Sequence, residues 1–222
     1  RCACVPNGLA VTPALELSEN EKAELKRTFL GMKADRPLVL MACRLARYKG
    51  VVEFLEAARE SATKDAVFAV AGDGEMMPVL SRLAAQDALA GRFRLLGHVE
   101  DLGPLYAASD VLVSCSHAEG MSYSLLEAMR ARKAIVATDV PGNRELIEHA
   151  VTGLLVPCQA SRIAQAVDSL LGDSARRALL GSNAYKRFKD RHTIDLQASG
   201  LLALYRAAAG MGDGAARLEA ES

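Results

Sequence analysis

Two cations and two acids, carried on separate stretches of the chain, offer the chemistry that this sequence can do. Arg44 and Lys49 lie in Arg44-Leu45-Ala46-Arg47-Tyr48-Lys49-Gly50, directly after an apolar run. A fork-shaped guanidinium and a mobile ammonium in one loop can reach a single diphosphate and neutralise the charge that grows on it as it leaves. Glu119 and Glu127 stand eight residues apart in a second loop and the apolar helix expected to follow it. With that helix starting near Ser122, Glu127 lies about one and a half turns in, roughly 7 to 8 Å along the axis, a separation that suits the two ends of a sugar nucleotide. The amides of Gly120, Met121, Ser122 and Tyr123 then lie at the positive end of the helix, where a phosphate or sugar oxygen is favoured. Glu127 is set among Leu125, Leu126, Ala128 and Met129. Its carboxylate therefore needs partners, for which ribose hydroxyls are one source and a neighbouring amide group the other.

Two glycine turns carry weaker signals. Gly72-Asp73-Gly74-Glu75 opens like a dinucleotide fingerprint, but the third glycine would have to stand at position 77, where the sequence has Met77. No acid ends the next strand to hold a ribose, so the stretch reads as a tight turn with close backbone approach. Gly97-His98-Val99-Glu100 is a loop whose glycine would let the backbone approach a base, and His98 reads equally well as a loop histidine in solvent.

These loops need a scaffold that gathers them. In an open parallel sheet, ligands bind beyond the carboxyl ends of the strands. Apolar runs at 38–43, 66–71, 93–96, 111–114, 134–138 and 153–156 alternate with amphipathic stretches at 50–61, 75–88, 102–107, 122–130, 143–149 and 160–171. That rhythm predicts an α/β fold, a doubly wound Rossmann-like parallel sheet of about six strands. Past position 156 only helical patterns follow, at 174–191 and 193–209. In the last of these Ile194, Ala198, Leu201, Leu202 and Tyr205 form an apolar stripe that must dock on something. Residues 1–20, with the turn Val5-Pro6-Asn7-Gly8-Leu9 and Pro13, read as a hinge entered from a preceding domain. Residues 21–192 form the sheet domain, 193–209 a C-terminal helix, and 210–222 a disordered tail by composition.

Composition narrows the partners. Among 222 residues, Lys plus Arg and Asp plus Glu balance at 27 each, so no field for a polyanion exists and nucleic acid is not an expected ligand. Cys2, Cys4, Cys43, Cys115 and Cys158 show neither a CxxC pair nor zinc spacing. Reduced thiols, no structural metal and a cytoplasmic setting are expected. There is no run of about 18 apolar residues, so any membrane association would come through a domain outside this chain.

Taken in order, the motifs resemble the retaining glycosyltransferases of family 4, enzymes of two-domain GT-B architecture. Val5-Pro6-Asn7-Gly8 is similar to that family's hinge into its C-terminal domain, and Arg44-Leu45 with Lys49-Gly50 to its basic diphosphate loop. Gly72-Asp73-Gly74, the 93–97 strand, Ser109-Asp110-Val111, the E-x7-E motif from Glu119 to Glu127, then 138–146 and 153–157, follow in the family's order. The resemblance implies a nucleotide-sugar donor whose diphosphate is held by Arg44 and Lys49, with Glu119 at the sugar hydroxyls, Glu127 at the ribose and Gly97, His98 and Val99 at the base. Gly120, Met121, Ser122 and Tyr123 complete the expected donor surface. It further implies transfer without a metal or other cofactor, and an acceptor held by an N-terminal domain absent from this chain. Cys43 departs from the glycine that often precedes the arginine. The alternatives are a nucleotide-sugar-binding module without transfer activity and a GT-B epimerase, which would need an internal acid/base pair. A nicotinamide enzyme is disfavoured by Met77.

Overall fold

Residues 38–42, 67–71, 111–114 and 134–138 are buried at every position, as strands must be when helices cover both faces of a parallel sheet. The computed structural model describes residues 4–13, 15, 17–28, 30–85, 89 and 91–209. In chain order it contains α1 (Glu19–Thr28), β1 (Leu38–Ala42), a 3-10 turn (Arg47–Lys49), α2 (Val51–Glu60), β2 (Val67–Ala71), α3 (Met77–Ala84), β3 (Phe93–Gly97), α4 (Gly103–Ala108) and β4 (Val111–Ser114). There follow α5 (Tyr123–Arg130), β5 (Ala134–Thr138), α6 (Pro141–Leu146), β6 (Leu154–Val156), α7 (Ala160–Leu171), α8 (Ser174–Arg191) and α9 (Ile194–Ala208).

All strand pairings are parallel, in the order β3-β2-β1-β4-β5-β6. The order runs outward in both directions from the β1/β4 pair, so the chain leaves those two strands toward opposite faces and a crevice opens between the loops that follow them. The loop after β1 carries Arg44 and Lys49, and the loop after β4 carries Glu119. The topology alone therefore makes them neighbours.

One side of the sheet is packed by α2 and α7, where Phe54 meets Phe68 at 5.5 Å and Phe93 at 5.9 Å between ring centroids. The other side is packed by α5 and α8 through Leu126, Met129 and Phe188 against Leu40, Leu112 and Ile135. Asp168 on α7 ties down the turn after α2, accepting from the Ser61 hydroxyl at 2.7 Å, the Ala62 amide at 2.8 Å and the Thr63 hydroxyl at 2.8 Å. Partial burial works to raise its pKa, but these donors outweigh it and hold the carboxyl below its ordinary value. A folded-state pKa below the unfolded one means stabilisation that is fully present above about pH 4 and is lost as the pH falls through the folded value. Asp168→Ala is expected to lower unfolding free energy by about 1 to 2 kcal/mol at pH 7, allowing for partial exposure. Urea melts at pH 7 and pH 3 should show the gap between variant and parent closing in acid.

All six expected strands form, with ends shifted by at most one residue. Several helices differ from expectation. α1 was not expected at all: its Ser18 and Glu21 form a reciprocal cap, the Ser18 amide and hydroxyl both donating to the Glu21 carboxylate at 2.8 and 2.7 Å. α6 begins at Pro141, a residue preorganised for a first turn, and ends at Leu146 rather than 149, because His149 is drawn into a bridge with Gly153. α3 spans Met77–Ala84 rather than 75–88, and 86–88 lie outside the described residues. So does the expected disordered tail at 210–222.

The docking expected of the last helix is not made among the described residues. α9 buries none of its side chains, and Ile194, Leu202 and Tyr205 are 45, 54 and 68% exposed. Its start is instead joined to the N-terminal segment by backbone: Leu9 donates to the His192 carbonyl and accepts from the Ile194 amide, both at 2.9 Å. Among the described residues, no helix is long and apolar enough to cross a membrane.

Candidate functional site

At the mouth between β1 and β4, the Lys49 ammonium lies 2.6 Å from a Glu119 carboxylate oxygen, with the two side chains only 18 and 11% exposed. The same oxygen accepts from the Ser116 hydroxyl at 3.1 Å. Lys49 reaches this position because the 3-10 turn ends on Gly50, and the turn is fastened across the crevice by the His117 amide, which donates to the Tyr48 carbonyl at 2.8 Å. Arg44 extends from the same loop and donates to the Tyr48 hydroxyl at 2.8 Å. Both cations lie near the Tyr48 ring, at 5.8 and 5.2 Å from its centre, so one aromatic ring accommodates two like charges.

The second acid is held from another direction. Tyr106 on α4 donates its hydroxyl to Glu127 Oε2 at 2.8 Å and lies 3.3 Å from the Ser124 carbonyl. Burial, reinforced by the Glu127 charge, pushes the Tyr106 phenol far above its usual range, so it stays a donor to the carboxylate. A cleft of about 390 Å³ opens here, lined by Arg44, Asp73, His98, Val99, Ser124 and Glu127 among others. A narrow recess beside it is lined by Cys43, Lys49, Ser116, Ser122 and Ser124. Cys43 and Ser124 belong to both, and burial pushes the Cys43 thiol up to about 12, so it is a neutral wall rather than a nucleophile.

The loop bearing Glu119 is braced from behind. The Thr138 hydroxyl donates to the Ser116 carbonyl at 2.5 Å, and the Asn143 amide donates to the Thr138 carbonyl at 2.8 Å. Gly142 packs so closely on this loop that a Cβ would overlap the carbonyls of Glu119 and Gly120. The two glycine turns also interlock, Gly72 donating its amide to the Gly97 carbonyl at 2.7 Å. Ser122 caps α5 through the Leu125 amide.

Arg44, Lys49, His98, Val99, Glu119, Ser122 and Glu127 therefore gather over one edge of the sheet, with Gly97 at the end of β3 and Gly120 next to Glu119 in the chain. The side chains of Met121 and Tyr123 do not join them. α5 begins only at Tyr123, so Met121 and Ser122 still belong to the non-helical segment before it. Ser122 and Ser124 face the recess, while the Met121 sulfur accepts from the Asn7 amide at 3.2 Å and Tyr123 is 50% exposed. Tyr48, Tyr106, Ser124 and Asn143 are positioning residues that the sequence did not single out. Tyr106 and Glu127 are 21 residues apart on different helices, and no spacing rule links them.

The profile of the glycosyl transferases group 1 family matches residues 22–187. The alpha-D-kanosaminyltransferase of Streptomyces kanamyceticus is 32% identical over 194 residues, covering 85% of this chain and 50% of that protein. The chain spans about half the length of the first curated relatives it matches. Among solved structures, the Anabaena protein Alr3699/HepE in complex with UDP-glucose superimposes with a TM-score of 0.82 at 25% identity, covering 90% of this chain and 56% of that one. The C-terminal domain of a glycosyl transferase group 1 family protein, LpcC, from Francisella tularensis superimposes with a TM-score of 0.73 at 25% identity, covering 84% of this chain and all of that one. The six-stranded α/β fold is that of the C-terminal domain of a GT-B glycosyltransferase.

Proposed function

Because this chain belongs to the glycosyl transferases group 1 family, we propose that it is the donor-binding half of a retaining, family 4 enzyme that takes a nucleoside-diphosphate sugar. An N-terminal domain outside this chain would hold the acceptor. The observation that carries this reading is the convergence of Lys49 and Glu119 at 2.6 Å with Arg44 and Glu127 in the adjoining cleft. The UDP-glucose complex of the Anabaena neighbour supports the class of donor.

Each residue then has a task set by its charge and surroundings. In the free chain, Glu119 neutralises Lys49, so neither charge is left bare in a place that is mostly shielded from water. An arriving diphosphate competes for Lys49 and releases Glu119 to accept from hydroxyls of the donor sugar. Arg44 adds a fork-shaped contact to the phosphates, and the amides at the start of α5 add their dipole. As the bond from the anomeric carbon to the phosphate oxygen breaks, the two cations stabilise the negative charge on the departing diphosphate. The acceptor oxygen bonds to that carbon on the same face while its proton passes to the departing phosphate oxygen, so the configuration is retained. In this reading the side-chain cations serve in place of a metal ion. Glu127, with Oε2 fixed by Tyr106, offers Oε1 to a ribose hydroxyl, and the backbone at Gly97, His98 and Val99 meets the base.

Calorimetric titration with UDP, GDP and ADP tests the reading, with saturable binding expected for at least one. Binding by none of them would overturn it. Tyr106→Phe removes the donor that fixes Glu127 and is expected to weaken that nucleotide by about 1 kcal/mol, roughly fivefold, in the same titration. Transfer itself requires joining the chain to an N-terminal half. A product whose anomeric configuration differs from that of the donor would refute retention. Nucleotide binding with no transfer would favour a binding module instead.

A further inference from the structure

Three side chains from distant parts of the chain meet beside the loop that bears Glu119. His117 Nε2 lies 3.0 Å from Glu53 Oε1 and 3.8 Å from the Cys158 sulfur, and one ligand atom from each lies within 4.8 Å of the others. They come from the first turn of α2, the loop after β4 and the loop after β6, so sequence spacing held no zinc signature. We propose that Glu53, His117 and Cys158 form a binding site for a divalent transition cation of the zinc class, separate from the donor cleft.

The chemistry of the set points to that class. One thiolate, one imidazole and one carboxylate form a mixed soft and borderline donor set suited to zinc or cobalt, whereas magnesium and calcium prefer oxygen alone. The spacing agrees. Around a tetrahedral zinc with bonds of roughly 2.0 to 2.3 Å, ligand atoms lie roughly 3.3 to 3.6 Å apart, so the observed separations need only small side-chain movements. Three protein ligands leave a fourth position for water. The thiol now donates to the Cys115 carbonyl at 3.4 Å, and burial and the Glu53 carboxylate both hold it in its neutral form. A cation would reverse this preference: the sulfur bonds to the metal as thiolate and its proton passes to solvent.

The location gives the site a consequence. Glu53 lies four residues beyond Lys49, and His117 two residues before Glu119. A cation held by both cross-links the two segments whose meeting forms the Lys49–Glu119 pair, and adds the loop after β6. Bound metal therefore stiffens the donor loop without touching the donor.

Cobalt(II) titration of the full chain, followed by visible and near-ultraviolet absorption, tests this. Expected are the bands of tetrahedral cobalt with a thiolate charge-transfer band, displaced by zinc, and a zinc-dependent rise in melting temperature. Cys158→Ser should abolish the charge-transfer band. His117→Asn, at a residue 45% exposed and so safe for folding, should weaken zinc by at least the roughly 10- to 100-fold that losing a mere supporting partner costs. Absence of tetrahedral bands in the parent would overturn the proposal, as would an unchanged spectrum in Cys158→Ser, which would place the metal on other thiols such as Cys4. UDP titration of Cys158→Ser separates this proposal from the donor-site reading, because nucleotide binding should persist there.

Discussion

Lys49→Ala is expected to weaken nucleoside-diphosphate binding by about 1.5 to 3 kcal/mol, roughly 10- to 150-fold, the range for a lost hydrogen bond to a charged group. It should also destabilise the free chain. Glu119, only 11% exposed, would keep the Ser116 hydroxyl as its side-chain partner among the described residues, and the stranded carboxylate should cost about 1 to 3 kcal/mol. The two effects can be separated. Adding Glu119→Gln to Lys49→Ala removes the stranded charge and should restore much of the melting temperature, while the diphosphate affinity stays low. Arg44→Ala provides the contrast: Arg44 is exposed and its side chain donates to the Tyr48 hydroxyl, so binding should fall by a similar factor with stability changed by less than about 0.5 kcal/mol. If both single variants bind diphosphate like the parent, the phosphate assignment is wrong.

Gly50→Ala is expected to destabilise the chain by about 2 to 4 kcal/mol, lowering the melting temperature by roughly 5 to 15 °C for a protein of this size. Gly50 joins the 3-10 turn to α2 with a φ of 68°, and a Cβ there would meet the Cys115 carbonyl well inside the 3.0 Å that real Cβ atoms respect. The carbonyl oxygen and carbon are backbone, and the third crowded atom, the Cys115 Cβ, is fixed to the same backbone, so relief requires moving α2 away from the loop after β4. That same movement would part Lys49 from Glu119, and diphosphate affinity should fall along with stability. Gly31→Ala is the control: its φ is 57° but open space surrounds its Cβ position, so it should show only the conformational penalty of about 1 to 2 kcal/mol. Equal losses in the two variants would show that crowding at Gly50 is not what matters.

The strands were legible because a fully buried parallel strand leaves an uninterrupted apolar run, and runs as short as 38–42 and 134–138, alternating with amphipathic stretches, suit strands better than helices. The cations and acids were legible because they follow such runs directly. α1 escaped because it is polar almost throughout, with Ala23 and Leu25 its apolar residues, and its only sharp signal was the cap from Ser18 to Glu21. The partner of Glu127 escaped for a different reason. Tyr106 meets it where α4 approaches α5, 21 residues away, where no periodicity reaches. The cluster of Glu53, His117 and Cys158 was hidden in the same way, its members 64 and 41 residues apart. Met121 and Tyr123 were grouped with the donor surface through their backbone amides at the start of α5; their side chains lie elsewhere, Met121 on the Asn7 amide and Tyr123 half exposed.

A crystal structure of this chain with its preferred nucleoside diphosphate would test most directly whether one edge of the sheet binds the whole donor. Phosphate oxygens should lie between Arg44 and Lys49, with the Lys49–Glu119 pair opened and a ribose hydroxyl on Glu127. A diphosphate bound away from Arg44 and Lys49, or a ribose that leaves Glu127 untouched, would contradict it.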